Sequence, residues 1–179
     1  MPQGSILGPL LFIIYINDIP NISEDCTFIM YADDANIILT ADNIDEINNQ
    51  LKILTNNLLK WVDFNGLALN LEKTKYMIFS RSRNIELPEP LIMSETLIEH
   101  KQEAKFLGVI MDESLNWSKH VNAVQSKMTR YIGIMYKIKK FLPLTARLQI
   151  YHSFVQSHVN YCSLVWGFST KSNIEALFA

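Results

Sequence analysis

Between Glu113 and Glu175 the chain has no acidic residue, yet that stretch holds eight basic ones: Lys119, Lys127, Arg130, Lys137, Lys139, Lys140, Arg147 and Lys171. Residues 1–113 reverse the balance, with 17 Asp and Glu against 8 Lys and Arg. The hydrophobic period changes at the same place. Before it, short apolar runs and alternations mix with one long helical pattern; after it, apolar residues recur every three to four positions. A change of period and of charge at one point predicts two subdomains, 1–113 and 114–179. It predicts an α+β chain with strands and packed helices first and helices alone afterwards.

Local signals fill in that outline. Gly8-Pro9 opens an apolar run to Ile19 that reads as a helix, apolar nearly all round and therefore expected to be buried. Cys26–Tyr31 and Ala35–Thr40 are β-prone runs flanking Ala32-Asp33-Asp34, which predicts a hairpin with acids at its tip. Asp42 or Asn43 begins a long helix, and Asn43 with Glu46 three residues later suits a capping box; the helix carries Ile44, Ile47, Leu51, Leu54, Leu58 and Trp61 or Val62, with Gly66 as its stop. Leu67, Leu69 and Leu71 alternate as a strand would, and Tyr76–Phe79 reads as another. Leu91–Met93 and Thr96–Ile98 predict a second hairpin around Ser94-Glu95, and Lys105–Met111 a further strand. From Ser118, the residues Val121, Val124, Met128, Ile132, Met135 and Ile138 mark a long helix. Leu142-Pro143 ends it, and another begins near Thr145.

Composition narrows the class. At 179 residues, 49% hydrophobic and net charge −2, the chain can build a core and is neither a disordered polyampholyte nor a disulfide-dense miniprotein. The longest clean apolar run, Leu10 to Ile16, falls far short of the roughly 20 residues that span a bilayer. No membrane association is expected, and two distant cysteines, Cys26 and Cys162, fit an intracellular setting in cytoplasm or nucleus.

Two features carry chemistry. Adjacent carboxylates at Asp33 and Asp34 repel unless a cation joins them, and paired oxygen ligands on a rigid turn suit Mg²⁺ and phosphoryl transfer. Aspartates also serve hairpin tips through local hydrogen bonds, and spacing leaves both readings standing. The opening Pro2-Gln3-Gly4-Ser5-Ile6-Leu7-Gly8-Pro9 is a glycine-containing loop running into a helix, which can expose backbone N–H groups to an anion; ordinary helix starts look the same. The acid-free segment suits polyanions by counterion release, though a solvated basic helix face gives the same counts. His100, His120, His152 and His158 show no metal-ligand spacing.

Taken in order, these blocks resemble the reverse transcriptases of non-LTR (LINE-type) retrotransposons. Pro2 through Phe12, followed by Tyr15-Ile16-Asn17-Asp18, is similar to the family's PQGS-x-LGPLLF…YIND motif, and Tyr31-Ala32-Asp33-Asp34 to its YxDD box. Gly66-Leu67-Ala68-Leu69-Asn70 through Lys73-Thr74-Lys75 resembles its GLxxNxxKT segment. Phe106-Leu107-Gly108-Val109, with Asp112 and Leu115-Asn116-Trp117, resembles the primer grip and the start of the thumb. Tyr161-Cys162 and Trp166-Gly167 resemble a thumb pattern.

The resemblance implies a partial polymerase palm over 1–113, primer grip included, and a basic helical thumb over 114–179. It implies RNA-templated DNA synthesis, with nucleotidyl transfer from a dNTP to a primer 3′-hydroxyl, and RNA template and DNA primer as partners. Asp33 and Asp34 would hold two Mg²⁺ ions. Lys73, with Lys75 as competitor, would sit near the pyrophosphate. Pro2, Gln3 and Gly4 would line template and nucleotide, with Tyr31 among them and packed beside the primer end, and Phe106, Leu107 and Gly108 would grip the primer. Lys127, Arg130, Lys137, Lys139, Lys140 and Arg147 would meet the duplex backbone without reading sequence. Trp117, Tyr131, Tyr136, Tyr161 and Trp166 fit thumb core better than base-stacking platforms.

In the family a third catalytic aspartate and the fingers lie upstream of the PQG loop, where this sequence begins. Asp18 and Asp25 stand in the wrong context to replace that aspartate. The expectation is therefore a fragment inactive alone, with the upstream part of the same polymerase as a further partner. The alternative is a non-catalytic nucleic-acid-binding remnant, which needs the basic segment but neither Asp33 nor Asp34.

Overall fold

The computed structural model describes residues 5–80 and 88–178. They divide into two compact units. One comprises the described part of Met1–Tyr76 and Ser82–His100; the other comprises the described part of Met77–Arg81 and Lys101–Ala179. Helices and small, mostly antiparallel sheets make an α+β chain.

In the first unit, α1 (Leu7–Tyr15) starts beside Pro9, whose missing N–H falls among the first-turn donors that no helix satisfies. The helix stops at Tyr15, earlier than the run to Ile19 predicts, and a 3₁₀ turn over Ile19–Ile22 follows. The burial expectation fails here. No residue of α1 is buried, and Leu10 and Ile14 stay 54% and 63% exposed. Burial shifts instead to Ile16 and Ile19, just past the helix, where the 3₁₀ turn that holds Ile19 packs against α2 (Ile44–Phe64).

Three polar contacts fix that junction: the Tyr15 hydroxyl donates to the Asn65 carbonyl, Trp61 Nε1 to Asp18 Oδ1 at 3.2 Å, and Asn57 Nδ2 to the Ile22 carbonyl at 2.9 Å. At the start of α2 the Asn43 half of the capping box forms, and the Glu46 side chain reaches one residue further back than the box requires. Asn43 Oδ1 accepts from the Glu46 N–H at 2.9 Å, while the Glu46 carboxylate accepts from Asp42 N–H. Gly66, at φ 60°, takes the left-handed turn that ends the helix.

β1 (Cys26–Tyr31) and β2 (Asp34–Leu39) pair antiparallel, and among the described residues with each other alone. Beyond α2 the Leu67–Leu71 strand does not form. Leu67, Leu69 and Leu71 are half-buried in alternation as the pattern demands, but among the described residues no backbone ladder pairs with them, so the segment is irregular. The Tyr76–Phe79 strand shrinks to β3 (Lys75–Tyr76), parallel to β6 (Glu99–His100). β4 (Ile92–Met93) and β5 (Thr96–Leu97) make the expected hairpin, with Ser94 and Glu95 at φ 45° and 65°. Two positive φ angles match the right-handed strand twist.

In the second unit, Lys105–Met111 is not one strand but a hairpin, β7 (Glu103–Phe106) and β8 (Val109–Asp112), turning at Leu107-Gly108 with φ 44° and 88°. Glycine at the second position admits the fold-back; the apolar run concealed it. α3 (Ser118–Ile138) follows, then α4 (Leu144–Tyr151), a π turn (His152–Gln156), α5 (Ser157–Asn160), α6 (Ser163–Trp166) and α7 (Lys171–Phe178). The core gathers Val121, Val124 and Met128 of α3 with Val155, Trp166 and Leu177. Side chains three to four residues apart on α3 thus face one apolar centre.

His120 belongs to this centre, 5% exposed and edge-on to Trp166. Its Nδ1 accepts from the Ile110 N–H at 3.3 Å, and its buried Nε2 has no partner among the described residues. Burial and the nearby Lys127 charge hold its pKa below the usual 6.5. The unfolded chain therefore takes up this proton first, so stability falls as pH drops below 6.5, with a slope of at most about 1.4 kcal/mol per pH unit. Urea midpoints at pH 7 and pH 5 should differ in wild type, and His120→Gln should narrow the gap.

Among the described residues, no helix is long and apolar enough to cross a membrane.

Candidate functional site

The acidic pair sits where the first hairpin reverses. Tyr31 pairs with Asp34, leaving Ala32 and Asp33 as a two-residue turn. Ala32 takes φ 52°, the left-handed conformation that tight hairpins require at such positions. Directly opposed residues share a face, so Tyr31 and Asp34 stand together, with Ile29 opposite Asn36 and Thr27 opposite Ile38 behind them. That face is open: Tyr31 is 64% exposed, and Ile29 and Ile38 are about half exposed. The other face, with Phe28, Met30 and Ile37, is half-buried, and β1 lies against the 3₁₀ turn that also contacts α2. The apolar flanks of the acids thus do not make a fully buried scaffold. Only one side of the hairpin is covered.

Both Asp33 and Asp34 are exposed, and neither forms an ion pair with a described residue. They are hard oxygen donors on a short turn, which fits Mg²⁺, an ion commonly held by one or two carboxylates plus water and phosphate oxygens. Among the described residues no group of three Asp, Glu, His or Cys could hold a metal. Asp18 is committed to the Trp61 indole.

Lys73 is presented by an Asn70 turn. Asn70 accepts from the Lys73 N–H through both its carbonyl (3.1 Å) and its Oδ1 (3.2 Å), and from the Thr74 hydroxyl at 2.9 Å. The spacing of Asn, Lys and Thr in this motif is therefore that of an Asn-closed turn. Lys73 and Lys75 are both exposed, and no ion pair or side-chain hydrogen bond joins either to the hairpin acids. Pro2, Gln3 and Gly4 lie outside the described residues.

In the second unit, Phe106, Leu107 and Gly108 occupy the β7–β8 turn. Of the basic residues, Lys127, Arg130, Lys137, Lys139 and Lys140 are exposed and Arg147 is half-buried. At 3.6 residues per turn, Lys127, Arg130 and Lys137 fall on one stripe of α3, away from its apolar face. Lys139 Nζ lies 3.7 Å from the Tyr136 ring centre. Among the described residues none of the six is ion-paired, whereas Lys119 and Lys171 engage Glu103 and Glu175.

Two residues of this unit have structural roles that their motifs did not announce. Asp112 gathers the loop leading into α3: its carboxylate accepts from Ser114 Oγ (2.5 Å) and from the N–H groups of Ser114, Asn116 and Trp117 (3.1, 3.3 and 3.2 Å). Burial raises its pKa, but these four donors outweigh burial and hold it below 3.8. Tyr161 donates its hydroxyl to the Leu107 carbonyl. The nearest sequence signal was Asp followed by Ser and Asn at two and four positions, an Asx-type pattern; nothing signalled the Tyr161 contact, which spans 54 positions.

An α+β chain with an acidic hairpin turn and a basic helical unit agrees with the class that sequence comparison assigns. Residues 1–111 match the family described as Reverse transcriptase (RNA-dependent DNA polymerase), and the chain belongs to it. Its relatives include a probable RNA-directed DNA polymerase from transposon X-element of Drosophila melanogaster, 25% identical over 186 residues and covering 100% of this chain. The RNA-directed DNA polymerase from mobile element jockey of the same fly is 27% identical over 188 residues, covering 99%. A retrovirus-related Pol polyprotein from type-1 retrotransposable element R1 of Bradysia coprophila is 21% identical over 173 residues, covering 92% of this chain and 17% of its own length. The chain spans 20% of the length of the X-element and jockey proteins. The resemblance to non-LTR retrotransposon reverse transcriptases is thus borne out. No solved structure matches.

Proposed function

We propose that the chain supplies the acidic turn, primer-contacting turn and duplex-binding helices of an RNA-directed DNA polymerase, as palm and thumb segments. The observation that carries this is Asp33 and Asp34, two exposed carboxylates that no described residue ion-pairs, at a tight hairpin turn beside the open Tyr31 face. Like charges so placed lower stability unless a cation joins them, and the family match gives the cation a use. When bound, Mg²⁺ neutralises the triphosphate and lowers the pKa of the attacking primer hydroxyl.

Around that centre, Tyr31 offers its ring to the primer end, and Pro2, Gln3 and Gly4 line template and nucleotide. Lys73 carries positive charge toward the leaving pyrophosphate. Phe106, Leu107 and Gly108 hold the primer backbone. The α3 stripe, with Lys139, Lys140 and Arg147, takes duplex phosphates. Because no third carboxylate joins Asp33 and Asp34 among the described residues, the 179-residue chain on this reading binds template–primer but does not extend it. The basic stripe also supports a second reading, a nucleic-acid-binding remnant that makes no use of the acids.

Paramagnetic broadening separates the two. Mn²⁺ added to the labelled chain should selectively broaden amides of residues 30–36, and Asp33→Asn with Asp34→Asn should abolish the effect. Broadening that persists in the double variant would remove the acids from the metal site.

A further inference from the structure

We infer that Tyr161 is a positioning residue for the Leu107-Gly108 turn, tying its geometry to the core of the helical unit; this rests on the reading of that turn as the primer-contacting one. Three observations link into a chain. The Trp166 indole, 1% exposed in the core, donates through Nε1 to the Tyr161 carbonyl at 2.8 Å. Tyr161 leaves α5 in an extended conformation, with ψ 118°, and Cys162 at φ 51° then makes the left-handed step into α6. The Tyr161 hydroxyl then donates to the Leu107 carbonyl at 2.5 Å.

The ring also closes down on the turn. A side-chain carbon on Gly108 would lie 3.3 Å from Tyr161 Cε1, and Gly108 already needs φ 88°. So the backbone conformation favours glycine at position 108, and a side-chain carbon there would also press on the tyrosine ring, which would have to give by a few tenths of an ångström. The two turn residues with positive φ would otherwise be free to relax at the end of a four-residue hairpin. A turn that must meet a primer backbone in one geometry gains from such an anchor, because positional error of an ångström is costly at a reacting terminus. This gives the Tyr-Cys…Trp-Gly pattern a physical content. Tyrosine reaches the turn, Trp166 fixes the tyrosine's backbone, and a side chain at Gly167 would collide with the Ser163 carbonyl.

Tyr161 is itself half exposed, so removing its hydroxyl leaves the core intact and the variant folded. The test uses the full chain and two probes, a recessed RNA–DNA template–primer and a blunt duplex of the same length, with binding read by fluorescence anisotropy. Wild type should prefer the recessed probe. Tyr161→Phe should lose about fivefold of that preference, with unchanged blunt-duplex affinity and a melting temperature lowered by only a few degrees. Gly108→Ala, which keeps the hydroxyl but presses on the ring, should lose the preference too. A Tyr161→Phe chain that keeps the full preference overturns the positioning role and leaves the primer-turn reading in place. A wild type with no preference overturns that reading and this inference together. Equal loss on both probes would mean that the bond serves folding alone, and it too overturns the proposal.

Discussion

Asp33→Asn or Asp34→Asn should each reduce nucleotide incorporation by about a thousandfold in a polymerase that carries this segment. That is about 4 kcal/mol, the scale of the charge stabilisation that a correctly held metal supplies at a phosphoryl centre. A suitable vehicle is the jockey polymerase with its matching fifth replaced by this chain, since the alignment covers 99% of the present sequence. Each substitution keeps the turn's shape and removes one charge, and Asp34 is held by its backbone pairing with Tyr31 whether or not it is charged. The fold of the hairpin should therefore survive and only the chemistry should fail. The isolated 179-residue chain should show no incorporation above the same Asn controls in primer extension with Mg²⁺. Incorporation by the isolated wild type that vanishes in both variants would show a working site without the expected third aspartate. Equal activity of the chimera with and without Asp33 and Asp34 would dismantle the site assignment.

How much of this was legible beforehand depended on how local each signal was. The acidic hairpin, α2 and α3 follow from short-range patterns: alternation on either side of a turn, a capping box at Asn43 and Glu46, and apolar residues spaced by three and four. Their bounds in the structure agree closely with those signals. Leu67, Leu69 and Leu71 misled because alternation reports which side chains are covered, while a strand also requires a backbone partner. Lys105–Met111 misled because an apolar run conceals a two-residue turn when its hinge is Leu-Gly. The most apolar helix, α1, is exposed, since burial depends on what a chain offers as cover and not on hydrophobicity alone. The contacts of Tyr15, Asp18 and Tyr161 connect residues 50, 43 and 54 positions apart, and no local pattern encodes such pairings. What family resemblance added was the linking of separate blocks into one site, which spacing alone left open.

Asp112→Ala should destabilise the second unit by about 2–4 kcal/mol, the largest single effect expected there outside the apolar core. The carboxylate satisfies three backbone N–H groups and one hydroxyl in a loop where Leu115 and Trp117 take φ 52° and 64°. Left-handed conformations at non-glycine residues are costly and persist only where surrounding bonds over-determine them. The loop is in turn the seat for the C-terminal helix. The Asn116 carbonyl accepts from Ser169 Oγ at 2.8 Å and from Asn173 Nδ2 at 3.2 Å, and Asn173 also donates to Ser118 Oγ at 3.0 Å. Loss of the carboxylate thus loosens both the start of α3 and the docking of α7. Asp112→Asn keeps one acceptor and should cost less. The sign of the pH dependence separates charge from shape. Because the folded carboxyl titrates below 3.8, its contribution is complete above that value and is lost as pH falls through the folded pKa. Urea denaturation at pH 7 should therefore separate wild type from Asp112→Asn, and the gap should close progressively as the pH is taken below 3.8. A gap that stays constant across that range would mean that the loop is held by packing rather than by the charged acceptor.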